Sequence, residues 1–143
     1  MEIPSRIDWG DIDENDLDTE WAFKQFFGKS FDEAESLFQD HALYYQEDLQ
    51  SMPFIPFNFY APALAKYIIS ERAKGDSDGA SSFLHLIVLL LKTRRDIISR
   101  ETEQLLVDAS DSIDKDQKFY DADVDIYGHF SYLTSEIKRL CRT

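Results

Sequence analysis

The sequence predicts an all-α single domain of five to seven helices, with stacked helical hairpins as one admissible arrangement, and three observations predict it. Apolar residues recur at helical spacing through most of the chain; Ile126, Phe130, Leu133, Ile137 and Leu140 step by four, three, four and three. Helix-start signals precede several of these stretches, among them the S-x-x-E pattern of Ser30 and Glu33. Strand signals are thin, because the one Asp-Gly pair, Asp78-Gly79, leads into a helical pattern rather than joining two alternating runs. With 143 residues, 43% of them hydrophobic, the chain has the length of one domain and enough apolar material for a core. No fixed-period repeat is present, which disfavours a regular solenoid.

Residues 1–17 read as a loose acidic leader, and residues 18–143 as the helical domain. Over the first twenty positions Glu2, Asp8, Asp11, Asp13, Glu14, Asp16, Asp18 and Glu20 face only Arg6, and such a block repels itself. Ile7, Trp9, Ile12 and Leu17 can pin it to the body as an extended strap. A short first helix then carries Trp21, Phe23, Phe26 and Phe27, capped by Asp18 or Thr19 and ended by Gly28. Ser30 opens a second helix with Ala34, Leu37, Phe38 and His41 on one face. Its pattern continues through Tyr44, Tyr45, Asp48 and Leu49, within that helix or as a separate turn, until Pro53 stops it.

A third helix runs from about Pro56 through Leu64, Ile68 and Ile69, with a kink or restart at Pro62 and Gly75 as its close. Asp76 or Asp78 caps the next, over residues 80–92. Its run FLHLIVLLL is apolar nearly all round, which places it at the centre of the fold. Ile97, Ile98, Leu105, Leu106 and Ala109 mark a further helix that ends in a second acidic block, residues 108–125. The last helix bears the stripe from Ile126 to Leu140, with Lys138, Arg139 and Arg142 complementing its dipole.

Charge narrows the functional classes. Asp+Glu 28 against Lys+Arg 15 leaves a net charge of -13, which repels phosphates and so argues against nucleic acid and anionic membranes as partners. A basic protein is the natural complement. The single Cys141 excludes an internal disulfide, the N-terminus lacks a basic region followed by an apolar stretch, and the apolar run over residues 83–91 is too short to span a membrane. These features together point to a cytoplasmic protein.

No cofactor, metal ligand or catalytic residue is assigned. Asp121-x-Asp123-x-Asp125 begins like a calcium loop, but Ile126 and Tyr132 stand where the loop needs glycine and glutamate; Asp11-x-Asp13-x-Asn15 fails in the same way at Asp16 and Ala22. His41, His85 and His129 lie at no ligand spacing, and His85, inside an apolar helix, reads as a core residue. No nucleophile elbow, glycine-rich loop or HExxH motif is present.

Tyr44, Tyr45, Glu47 and Asp48 form the candidate partner-binding site. Successive helical residues lie about 100° apart, so if one tyrosine packs inward the other emerges beside the carboxylates, an aromatic anchor in an acidic rim. Phe54, Phe57, Phe59 and Tyr60 exceed one helix face, so some must pack on a neighbouring element, a second subunit or a partner.

The stretch FGKSFDEAESLFQDHALYYQEDLQSMP, followed by Tyr60, Pro62, Tyr67, Ile68 and the turn GDSDGASSFL, resembles a group of uncharacterised small acidic bacterial helical proteins. The resemblance implies a bacterial source and carries no activity. In character the chain is also similar to bacterial toxin-immunity proteins, which are often small, helical and acidic. Those directed against nuclease colicins use a Tyr-Tyr pair with nearby carboxylates, and only Tyr44, Tyr45 and the acidity match that pattern here.

The expected function is therefore stoichiometric binding of a basic protein, a toxin in the most concrete form, by an immunity or inhibitor protein acting through occlusion. One alternative is a structural or regulatory protein that forms a homodimer through its surplus aromatics. Another is a metal-dependent enzyme using His41, His85 or His129 with carboxylates such as Asp40 or Asp78.

Overall fold

Residues 2–13 and 15–141 are described by the computed structural model, so Glu14 of the leader and Arg142 of the last helix lie outside the described residues. Seven α-helices and no strand are found among the described residues: α1 (Leu17–Phe26), α2 (Phe31–Tyr45), α3 (Phe54–Ile68), α4 (Ser77–Thr93), α5 (Arg100–Lys115), α6 (Val124–Tyr127) and α7 (Phe130–Cys141). Short 3-10 helices join several of them, the longest being Gln46–Ser51 between α2 and α3.

Local chemistry sets most helix starts. Ser30 accepts from the Glu33 amide and Glu33 returns a carboxylate to the Ser30 amide, so both halves of the capping box are made. Asp76 caps α4 through the Gly79 amide, and Ser99 caps α5 through the Thr102 amide. The start of α1 differs from expectation. Asp16 caps it instead of Asp18 or Thr19, accepting from the Thr19 amide at 3.1 Å and from the Thr19 hydroxyl at 2.7 Å. Adjacent aspartates are equally able to cap, and the hydroxyl three residues on decides between them.

The centre of the fold also differs from expectation. Of the fifteen residues of α3, ten are buried, against nine of seventeen in α4, so α3 shares the interior that the sequence pattern gave to residues 80–92 alone. α3 packs on α2 and α5, α4 packs on α7 and α2, and α3 is continuous through Pro62. Phe57, Phe59 and Tyr60 are buried within the chain itself, while Phe54 stays half exposed. Buried tyrosine hydroxyls close two helix C-termini. Tyr60 Oη shares its proton between the carbonyls of Phe26 and Lys29, each at 2.8 Å, and Tyr120 Oη donates to the Ile68 carbonyl at 2.7 Å. Burial pushes both phenols up to about 12.

The leader is held chiefly through Trp9, with Pro4 also buried and the Arg6 guanidinium 5.1 Å from the centre of the Phe23 ring. Trp9 is buried edge-on to Phe23, with ring centroids 5.4 Å apart, and lies beside Tyr60, whereas Ile7 and Leu17 remain exposed and Ile12 is half-buried. Two further expectations are corrected. His85 is exposed, and Ile126 is 74% exposed in the short α6; Gly128, at a φ of +74°, separates that helix from α7. The α7 stripe therefore begins at Phe130.

Candidate functional site

The helix that carries the tyrosines breaks before it reaches them. His41 leaves the helical conformation (φ -159°, ψ 80°), and its Nδ1 accepts the Tyr44 amide at 3.2 Å, as an N-cap residue would. The turn after it sends the two tyrosines to opposite sides. Tyr45 packs inward, edge-on to Phe26 at 6.3 Å, while Tyr44 is 44% exposed and lies edge-on to both Tyr45 and His41.

The 3-10 helix Gln46–Ser51 follows directly, and in that geometry residues three apart eclipse. Gln46 and Leu49 are thus both buried, Asp48 follows Tyr45 inward, and Glu47 follows Tyr44 outward. Asp48 was expected on an acidic rim and instead is 8% exposed. Its Oδ2 accepts from Gln25 Nε2 of α1 at 3.0 Å. Burial pushes its pKa up to about 6; the bond from Gln25 opposes the shift, and the nearby Glu47 and Asp18 carboxylates add to it. The segment is anchored at both ends. Gln46 Nε2 donates to the Gly79 carbonyl at 3.3 Å, and Arg94 Nη1 donates to the Gln50 carbonyl at 2.6 Å.

Between this segment and α1 lies a pocket of about 210 Å³, lined by Asp18, Trp21, Tyr44, Glu47, Asp48, Gln50 and Ser51. Three carboxylates and two half-exposed rings line it, and no lysine or arginine does. Glu47 and Gln50 also border a second, largely apolar depression of about 170 Å³, whose walls include Leu43, Gln46, His85, Leu86 and Leu89. The two form one continuous face. Of the four expected site residues, Tyr44, Glu47 and Asp48 line the pocket, and Tyr45 supports Tyr44 from behind.

Asp18, Trp21 and the groove on α4 were not foreseen. Their sequence signal was present: Leu17 and Trp21 stand four apart on the side of α1 away from the buried Ala22 and Phe26. No periodicity could show that this side meets residues 46–51.

A separate polar cleft of about 370 Å³ includes Asp40, His41, Tyr67, Lys74, Asp76 and Asp78. Two of its three carboxylates are engaged. Asp76 accepts from Tyr67 Oη at 2.7 Å as well as capping α4, and Asp78 accepts from Tyr127 Oη at 2.7 Å. Among the described residues no three His, Cys, Asp or Glu side chains are placed to hold a metal ion, and no helix is long and apolar enough to cross a membrane. Comparison of the chain with protein-family models, curated proteins and solved structures returns no match.

Proposed function

We propose that the protein is a stoichiometric protein-binding module of the toxin-immunity or inhibitor kind, which takes a basic partner on the face around Gln46–Ser51 and acts by occluding it. A bacterial cytoplasm is the setting that fits this role. The observation that carries the reading is the pocket of Asp18, Trp21, Tyr44, Glu47 and Asp48: rings that can be buried on binding, ringed by carboxylates with no cation among the lining residues. The net charge of -13 adds long-range attraction for the same class of partner. A self-associating homodimer has less support, because Phe57, Phe59 and Tyr60 are used up in the chain's own core.

The test is calorimetric titration against the purified products of the neighbouring genes. A complex of one-to-one stoichiometry with a basic protein is expected, its affinity falling steeply with salt. The double variant Asp18→Lys with Glu47→Lys should weaken it by roughly a hundredfold, mostly through slower association. Absence of binding to every neighbour, or equal binding by the reversed variant, overturns the reading.

A further inference from the structure

Within the pocket, Asp48 is more than nine-tenths buried, yet only one of its oxygens is matched. Oδ2 takes the Gln25 amide at 3.0 Å, while Oδ1 has no hydrogen-bond partner among the described residues and Asp48 forms part of the pocket wall. Oδ1 keeps contact with solvent in the pocket and is free to accept from a ligand there. The exposed Asp18 and Glu47 add acceptors on either side, and Trp21 and Tyr44 offer π-faces from two different elements. Across Glu47 and Gln50 the groove adds the apolar surface of Leu43, Leu86 and Leu89.

We infer that this pocket anchors an arginine side chain of the basic partner, with an aliphatic residue adjacent to that arginine seated in the groove of Leu43, Leu86 and Leu89. The inference rests on the protein-binding reading of the same face and adds what the partner must present there. Guanidinium suits the pocket better than ammonium: it is planar, stacks on aromatic rings, and has enough fixed N–H donors to serve Asp48 and a second carboxylate at once. A quaternary ammonium has no donor for Asp48 Oδ1. An unbranched basic residue with polar neighbours would leave the groove unfilled.

The full chain, labelled with nitrogen-15, is titrated at pH 7 with acetyl-Leu-Arg-Leu-amide, its lysine and citrulline counterparts, and tetramethylammonium. Saturable shifts are expected at the Trp21 indole N–H and at the amides of residues 43–51. Binding of the arginine peptide should be about fivefold tighter than that of the lysine peptide, with no saturation by citrulline. Glu47→Gln should weaken it by about fivefold while the rest of the spectrum stays in place, which reports an intact fold. Absent shifts, shifts scattered over the acidic surface without saturation, or equal responses to arginine peptide and tetramethylammonium overturn the arginine anchor. A partner protein that binds while the peptide leaves the pocket unmoved sinks the anchor alone; a peptide that binds when no neighbouring gene product does sinks the partner reading alone.

Discussion

Two clefts in this molecule are rich in carboxylates, and they differ in how many of those acids the fold itself uses. In the cleft beside His41, Asp76 closes the first turn of α4 and holds the Tyr67 hydroxyl, and Asp78 holds the Tyr127 hydroxyl. Those acids are structural. In the pocket beneath Tyr44, Asp18 and Glu47 have no ion-pair partner among the described residues, and Asp48 has one amide for its two oxygens. The comparison teaches that acidity alone does not locate a binding face in so acidic a chain. What separates the pocket beneath Tyr44 is that its carboxylates stand beside two half-exposed rings with acceptor oxygens left over.

The largest difference between the clefts should appear on deleting one acid from each. Asp76→Ala removes a helix cap and strands the buried Tyr67 hydroxyl, so unfolding in urea should show a loss of about 2–4 kcal/mol. Asp18→Ala should leave the midpoint within about 0.5 kcal/mol of the parent, because no contact of this kind is lost. Equal losses at the two positions would erase the distinction.

Asp48→Asn sharpens it with the opposite sign. The carboxyl pKa is raised in the fold, from 3.8 to about 6, so the folded state holds the proton more tightly than the unfolded chain. The favourable contribution of that protonated carboxyl is complete below about pH 4 and is lost as pH rises through about 6. At pH 8 the parent therefore carries a buried charge that the amide variant lacks, and Asp48→Asn should be more stable by about 1–3 kcal/mol. The advantage should shrink as the pH is lowered from 6 to 4, as followed by thermal melts across that range. A variant that is less stable at pH 8 would show that Asp48 is as well satisfied as Asp76.

A smaller effect concerns how the pocket is presented. His41→Ala deletes the acceptor that caps the turn of Tyr44, with an expected loss of about 1 kcal/mol; His41→Asn should recover most of it, because asparagine is among the best N-cap residues. Denaturation midpoints of the pair check this. Equal losses in both variants would mean that the imidazole ring, rather than its acceptor nitrogen, supports the break.

Which of these features could be read in the sequence follows from the range of their causes. The capping box of Ser30 and Glu33 and a cap for α4 at Asp76 or Asp78 arise from neighbours within one turn and were legible, whereas the opposite facing of Tyr44 and Tyr45, expected only if one of them packs inward, also depends on the break at His41. Asp16 was missed because three nearby aspartates share one capping chemistry. An α-helical step of about 100° predicts Asp48 on the rim, whereas the chain tightens to a 3-10 helix at Gln46 and carries Asp48 in behind Tyr45. His85 looked central because its neighbours are apolar. The groove beside it exists only because residues 46–51 pack on α4 without covering its Leu89 side. Trp21 belongs to the site through a tertiary contact that no local pattern encodes.

The smallest expected change in stability tests the site most directly. Trp21 and Tyr44 are 49% and 44% exposed, so truncating either to alanine removes only the buried half of a ring at the surface. Each variant should unfold within about 0.5 kcal/mol of the parent, whereas Tyr60→Ala, at a fully buried ring, should cost about 3–5 kcal/mol. Binding should rank the three in reverse, since half-exposed rings above unpaired carboxylates become buried only in a complex. Trp21→Ala and Tyr44→Ala should each weaken the partner at least about tenfold, measured by calorimetry at the temperature where both variants are fully folded. If the two rings prove neutral in binding as well as in stability, their exposure is incidental and the partner sits elsewhere on the acidic surface.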